Sequence, residues 1–214
     1  MIKKTRLQKC LFIFPLTFTL ILSACKNPIE SKPPLTINSD LIASGDIIFR
    51  QGNSLLSRTV ISVDENASFS HVGLVEIIKD SPYVIHASTG EPFGKNAKVK
   101  IETLEAFLAK EETTAIALYR VREQYQSTVE QAVLFAHSYA SKKLPFDQEF
   151  NLETEDSLYC TELVWRAYLQ AGLDLVEGEF ENLDLPLAQG NYLLPSNLLN
   201  SKYTKKVYFL QLKD

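Results

Sequence analysis

Short apolar runs, bounded by glycine, proline or charged residues, recur along most of the chain and predict β-strands. The predicted strands cover residues 46–50, 71–78, 83–87, 98–101, 115–121 and 206–212. The run at 71–78 is rich in β-branched residues, and the turn signal Asp80-Ser81-Pro82 separates it from the run at 83–87. The pattern therefore predicts that these two strands form an antiparallel hairpin.

Four other segments have apolar residues at the spacing of an α-helix. The predicted helices cover residues 55–63, 103–110, 127–141 and 158–171, and Gly172 closes the last of them. Ser157 is expected to cap the helix at 158–171, which would make Cys160 its third residue. Residues 174–197 are predicted to be rich in loops. Because runs of strands are followed by helices, the chain is predicted to be an α+β domain with an antiparallel sheet.

The first 25 residues have the character of an export signal. Four basic residues precede an apolar run at 11–22 that is too short to span a membrane, and Leu22-Ser23-Ala24-Cys25 follows it. This order resembles the signal and lipobox of bacterial lipoproteins, which implies cleavage before Cys25 and acylation of that cysteine. We expect a signal peptide at 1–24, a lipidated tether at 25–42 and a domain at 43–214. An uncleaved anchor helix or an ordinary secretory signal is the alternative.

The resemblance to lipoproteins implies a location in the bacterial cell envelope. Lys26, not aspartate, follows the lipidated cysteine, and in a Gram-negative cell this implies the outer membrane, facing the periplasm. Loss of the four basic signal residues changes the formal net charge from −4 to about −8. Because no basic patch is visible, nucleic acid is not an expected partner.

Cys160 is the cysteine that remains when Cys10 and Cys25 are assigned to the signal and the lipid anchor. It lies near a predicted helix start, where the helix dipole and unpaired amides favour a thiolate and are expected to lower the thiol pKa. The same amides can stabilise an oxyanion. Cys160 is therefore a candidate nucleophile, and a buried cysteine that acts as a small apolar residue is the alternative.

Two histidines on neighbouring predicted strands are candidates for a base and its partner. His71 opens the strand at 71–78, and His86 lies in the strand that pairs with it, where the two rings can approach each other. Taken alone, each is also compatible with a structural histidine, and His137 is expected to be structural or exposed. The chain has neither zinc-ligand spacing nor a Gly-x-Ser-x-Gly elbow, so no metal or cofactor and no serine nucleophile are predicted.

Four motifs occur in the order of a known family. They are Gly45-Asp46-Ile47-Ile48-Phe49, Ser70-His71-Val72-Gly73, Val84-Ile85-His86-Ala87 and Tyr159-Cys160-Thr161-Glu162. Together they resemble the circularly permuted papain-like hydrolases of the YiiX/YaeF group, which are related to the NlpC-type cell-wall peptidases. The resemblance implies a permuted papain-like fold, in which a helix carrying the cysteine packs against a small antiparallel sheet carrying the histidine.

The resemblance also implies roles for individual residues. Cys160 matches the nucleophile, His71 the base and His86 the third polar position, which is often glutamate in relatives. Tyr159 and Ser70 are expected near the substrate or behind the catalytic groups. Glu162 is expected on the helix surface or behind the catalytic groups.

The implied function is cleavage of amide bonds by an envelope-tethered cysteine hydrolase, with cell-wall peptides as a natural substrate. The alternatives are a hydrolase of lipid amides or esters, an acyltransferase of the same fold, and a non-catalytic envelope binding module. The apolar residues of 183–198 are compatible with an acyl groove or with the core.

Overall fold

The computed structural model describes residues 37–64, 66–90, 94–109, 113–185 and 188–212. The predicted signal peptide, Cys25 and most of the predicted tether lie outside these residues. The strands are β1 (Ile47–Gln51), β2 (His71–Ile78), β3 (Ser81–Ser88), β4 (Lys98–Thr103), β5 (Ala115–Val121), β6 (Glu181–Leu185), β7 (Ala188–Tyr192) and β8 (Thr204–Gln211). The helices are α1 (Leu55–Val63), α2 (Leu104–Ala109), α3 (Val129–Lys142), α4 (Cys160–Gln170) and α5 (Pro195–Leu199), with 3-10 turns at Ser39–Leu41 and Glu123–Thr128.

Within the described residues, six strands form one antiparallel sheet in the order β4-β3-β2-β1-β5-β8, while β6 and β7 form a separate hairpin. Strand β1 lies between β2 and β5, so that Ile48 is opposite both Gly73 and Leu118. The predicted α+β domain with an antiparallel sheet is confirmed.

Both faces of the sheet are covered, which explains why its central strands read as continuous apolar runs. On one face Ile47, Phe49 and Leu74 pack with residues of α3 and α4. On the other face Ile48 and Val75 pack with residues of α2. The helix that begins at Cys160 therefore lies on one face of the sheet, and α2 lies on the other.

The second core cluster extends into the segment predicted to be the tether. Ile37 and Ile42 are buried there, and the carbonyl of Leu41 accepts a hydrogen bond of 2.8 Å from Arg120. The structured part of the chain thus begins before residue 43. Among the described residues, no helix has both the length and the apolar character needed to cross a bilayer.

Gly45 allows a close approach between the start of β1 and the helices that cover it. Its φ is +82°, and a Cβ atom there would lie 2.4 Å from a methyl carbon of Val129 on α3. The Tyr168 hydroxyl of α4 donates a hydrogen bond of 2.5 Å to the Gly45 carbonyl. A side chain at position 45 would separate both helices from the sheet.

Two local predictions are wrong in detail. The β2–β3 turn lies at Lys79 and Asp80, which both have positive φ, so Ser81 and Pro82 belong to β3. A two-residue turn of this kind matches the twist of a hairpin. Residues 174–197, predicted to be rich in loops, contain β6, β7 and the start of α5.

Candidate active site

Cys160 lies at the N-terminus of α4. Tyr159 is the N-cap and Cys160 is the first helical residue, so the prediction of Ser157 as the cap is wrong. The Ser157 hydroxyl instead lies 3.3 Å from the hydroxyl of Thr154. The cap is completed by Glu162, whose carboxylate accepts a hydrogen bond of 3.4 Å from the Tyr159 amide.

The sulfur of Cys160 meets the sheet where β2 and β3 separate. The pairing of these strands runs from Ile78–Ser81 to Leu74–Ile85, and Val72 lies beyond its end. The Val72 amide therefore donates to the Cys160 sulfur, as do the amides of Thr161 and Cys160 itself. The half-buried thiol is thus held by three backbone donors, one of which directly follows His71 in the chain.

Burial dominates the ionisation of this thiol. It raises the pKa of Cys160 to about 11, although the three amides and the charge of Arg50 act in the opposite direction. The prediction that the helix start produces a low thiol pKa is therefore wrong, because desolvation outweighs the amide dipoles. A base is needed to remove the proton at neutral pH.

The two predicted histidines are in direct contact. His71 Nε2 lies 2.8 Å from His86 Nδ1, and their rings are nearly perpendicular, with centroids 5.0 Å apart. His86 is fully buried and His71 is nearly so. The approach of the two rings, expected from the hairpin, is observed.

A carboxylate completes the chain of hydrogen bonds. Glu102 of β4 lies 2.9 Å from His86 Nε2 and 2.8 Å from Lys100 Nζ. Burial acts to raise the pKa of Glu102, but its bonds to His86 and Lys100 outweigh this effect and hold the pKa well below its usual range. Burial lowers the pKa of His86 to about 4, so this ring is neutral at pH 7.

These ionisation states fix the direction of the hydrogen bonds. Ionised Glu102 accepts the proton of His86 Nε2, which leaves His86 Nδ1 as an acceptor for the Nε2 proton of His71. In neutral His71 the lone pair is then on Nδ1. The arrangement leaves Nδ1 of His71 as a proton acceptor, with His86 and Glu102 behind the ring.

Phe107 of α2 packs against His71, His86 and Arg50. Its ring stacks on His71 with centroids 5.6 Å apart, and it meets His86 edge-on at 5.1 Å. The guanidinium of Arg50, which is paired with His71 in the β1–β2 register, lies 5.1 Å from the same ring. The histidine rings therefore lie on the α2 side of the sheet, and the thiol reaches their strands at the end where β2 and β3 separate.

Glu102 is a member of the site that the sequence pattern does not predict. The predicted strand ends at Ile101 and the next predicted helix begins at Thr103, so Glu102 falls between two elements. In the structure β4 continues through Thr103, and Lys100 is opposite His86. A carboxylate two residues beyond the position opposite a histidine lies on the same face of the sheet, but only the register reveals it.

Ser70 and Tyr159 have structural contacts. The Ser70 hydroxyl accepts a hydrogen bond from the Gly52 amide, which ties the end of β1 to the start of β2. The buried Tyr159 hydroxyl accepts from the Leu193 amide at 3.1 Å. His137 is partly exposed and lies 3.0 Å from Glu76.

Glu162 is fully buried, so its expected position on the helix surface is wrong. Its carboxylate lies 2.7 Å from Arg166 Nε. Burial raises the pKa of Glu162 to about 7, although the charge of Arg166 opposes this. The same guanidinium donates to the carbonyls of Leu152 and Thr154, so Glu162 helps to fix the loop before α4.

Comparison with known proteins gives consistent matches. The family model described as "Permuted papain-like amidase enzyme, YaeF/YiiX, C92 family" matches residues 41–208. "Uncharacterized protein YiiX" of Escherichia coli K12 is 30% identical over 145 residues, which are 65% of this chain and 63% of that protein. The chain thus matches less than two thirds of that relative's length.

A solved structure shares the fold. It is described as "Crystal structure of metalloprotein yiiX from Escherichia coli O157:H7", and it superposes with a TM-score of 0.63 and 23% identity, over 77% of this chain and 96% of that one. The predicted permuted papain-like fold, with an antiparallel sheet packed against the cysteine helix, is confirmed.

The protein in that solved structure is called a metalloprotein. In the part of this chain that the structure describes, no three His, Cys, Asp or Glu side chains are grouped so that they can hold a metal ion. The two ring nitrogens of His86 are both engaged, one with His71 and one with Glu102. The candidate site therefore does not fit a metal centre.

In the His86→Gln variant, the free energy of unfolding should fall less between pH 7 and pH 4.5 than it does in wild type. The folded pKa of His86, about 4, lies below the ordinary value of 6.5, so between these pH values the unfolded chain binds a proton that the folded chain does not. Above pH 6.5 the neutral His86 thus contributes about 3 kcal/mol to the free energy of unfolding, relative to its contribution in acid. This contribution is lost as the pH falls from 6.5 to 4. Urea unfolding of wild type and His86→Gln at pH 7 and pH 4.5 measures this difference.

His137→Gln is the matched control, because His137 is partly exposed and is paired with Glu76 outside this group. It should keep the wild-type loss of stability. An equal loss in His86→Gln and His137→Gln would contradict the assignment of a neutral buried His86.

Proposed function

Because this chain belongs to the YaeF/YiiX family of permuted papain-like amidases, we propose that it is a cysteine amidase, with Cys160 as the nucleophile and His71 as the general base. The observation that carries the proposal is the chain of contacts from Glu102 through His86 to His71, next to the strand position that holds the thiol. The combination provides a nucleophile, a base and a group that orients the base.

The reaction begins with the protonated thiol. His71 Nδ1 accepts the thiol proton as the sulfur attacks the carbonyl carbon of an amide, and the imidazolium then donates this proton to the leaving amine. The acyl group remains on Cys160 as a thioester. His71 next accepts a proton from water, the hydroxide adds to the thioester carbonyl, and the thiol and a carboxylic acid are released.

The surrounding charges favour this transfer. The positive charge of Arg50 lowers the pKa of the thiol, while the anionic Glu102 lies behind His86 at the other end of the histidine pair. Transfer of the proton from sulfur to His71 creates a thiolate that the charge of Arg50 stabilises, and an imidazolium that is linked through His86 to ionised Glu102. Amides of the first turn of α4 can donate to the oxyanion.

Alkylation of the thiol tests the pairing of Cys160 with His71 without a substrate. At pH 7, His71→Ala should slow the reaction of Cys160 with iodoacetamide at least about tenfold, because a thiol with a pKa of about 11 stays protonated without its base. Mass spectrometry of the peptide that contains Cys160 gives the rate. His137→Ala should react like wild type, and equal rates in both variants would refute the role of His71.

The proposed substrate is an amide bond of a cell-wall peptide. Wild type incubated with peptidoglycan fragments should release new amino and carboxyl ends, detected by mass spectrometry, and Cys160→Ala should release none. N-acyl amino acids and their esters form the second pool. Products from that pool alone would assign the chain to lipid amide or ester chemistry, and no products from either would indicate a binding module.

We further propose that residues 1–24 are a signal peptide, that acylated Cys25 anchors the chain, and that the catalytic domain, which begins by residue 37, lies in the periplasm. The order of basic, apolar and lipobox segments supports this proposal. In a Gram-negative host, wild type should sediment with outer membranes, whereas Cys25→Ala should lose this association because it lacks the acyl chains. Equal sedimentation of both would refute the lipid anchor.

A further inference from the structure

A cavity lies beside the loop that precedes α4. Its volume is about 680 Å³, and it is lined by the loop at 149–153, by Phe180 and by residues 189–192 of β7. Three aromatic rings contribute to its walls, those of Phe150, Phe180 and Tyr192. We call it the aromatic cavity.

Two walls of the aromatic cavity are attached to Tyr159, the residue directly before the proposed nucleophile. The ring of Phe150 contacts the ring of Tyr159, with centroids 5.3 Å apart. The Tyr159 hydroxyl accepts a hydrogen bond from Leu193, which follows Tyr192. The cavity is therefore linked to the start of α4 through Tyr159.

The loop wall is held in a fixed shape. Asp147, which is buried, accepts hydrogen bonds from the amides of Glu149 and Asn151. Between them Phe150 has a φ of 54°, a conformation that costs energy for a bulky residue. Arg166 of α4 donates to the carbonyls of Leu152 and Thr154. The wall is thus organised before any ligand arrives.

The lining offers both donors and acceptors. Asn151 and Asn191 use their side-chain oxygens within the protein, which leaves their NH₂ groups as donors. Gln189 donates to Asp184, which leaves its oxygen as an acceptor. Glu149 and Glu153 add carboxylate oxygens.

This set of groups selects a class of ligand. Among the residues that the structure describes, no lysine or arginine lines the cavity and two carboxylates do, so an anion would be repelled. An acyl chain would leave the amide and carboxylate groups without partners, at a free-energy cost. A sugar ring carries hydroxyls that both donate and accept, and its C–H face packs on aromatic rings.

We propose that the aromatic cavity binds a neutral sugar ring of the substrate, beside the amide bond that Cys160 attacks. The inference rests on the proposed amidase function and narrows it, because it selects glycan-linked peptides over lipid amides. Tyr159 then acts as a positioning residue that joins the sugar site to the nucleophile.

Trp165, the single tryptophan of the chain, reports on this cavity because its ring contacts Phe180, with centroids 5.4 Å apart. Titration of the Cys160→Ala chain with the trimer of N-acetylglucosamine should change Trp165 emission to saturation. Tyr192→Ala, added to this chain, should weaken binding at least about tenfold, since it removes a stacking face. Tyr83→Ala, which changes a half-buried tyrosine of β3, is the matched control and should bind like its parent.

Three outcomes of the titration would overturn the proposal. They are no response to the trimer, equal affinity in the Tyr192→Ala and Tyr83→Ala chains, and a stronger response to decanoate or to a bare stem peptide than to the trimer. Decanoate would indicate an acyl groove, and the bare peptide would indicate a peptide site.

Kinetics separate this inference from the amidase proposal. Wild type should hydrolyse a sugar-bearing stem peptide with a kcat/KM at least about tenfold higher than that of the bare peptide, mainly through KM. Equal values would refute the sugar site and leave the amidase intact. If Cys160→Ala binds the sugar but wild type hydrolyses neither peptide, the amidase proposal is refuted and the sugar-site proposal stands.

Discussion

The hydrogen bond from the Val72 amide to the Cys160 sulfur is the contact on which the geometry of the site depends. It exists because β3 leaves β2 after the Leu74–Ile85 pair and the amide of Val72 has no partner strand there. A buried amide needs an acceptor, and the start of α4 supplies one. The same separation gives the rings of His71 and His86 room to meet. One interruption in a ladder thus fixes both the thiol and its proposed base.

Burial favours the uncharged form of two groups in this site, although it moves their pKa values in opposite directions. It keeps His86 neutral, so that this ring accepts a hydrogen bond from His71 and donates one to Glu102. It also keeps the Cys160 thiol protonated, against the pull of three amides and Arg50. In the proposed mechanism, the thiol therefore stays in its unreactive, protonated form until His71 takes the proton. Such a thiol is protected from oxidation more than a preformed thiolate would be.

The sequence alone locates most of the sheet, because strands covered on both faces are long apolar runs, and β2 and β5 begin and end where the pattern predicts. It also identifies His71 and His86, since a hairpin places them on neighbouring strands. The remainder depends on tertiary contacts. Glu102 joins the site through register, and Glu162 is buried because Arg166 and the loop before α4 close over it. The thiol pKa follows from desolvation, which no local pattern encodes.

The order of the elements along the chain has a consequence for biosynthesis. His71, His86 and Glu102 are all synthesised before residue 103, whereas Cys160 and the walls of the aromatic cavity follow in the last third. The ribosome therefore releases the histidines and the carboxylate before the thiol. A chain that ends before residue 160 lacks the thiol, and α4 follows the five strands β1 to β5 in the chain while β8 follows α4. Translation order thus places the residues that orient the proposed base ahead of the thiol that it would deprotonate.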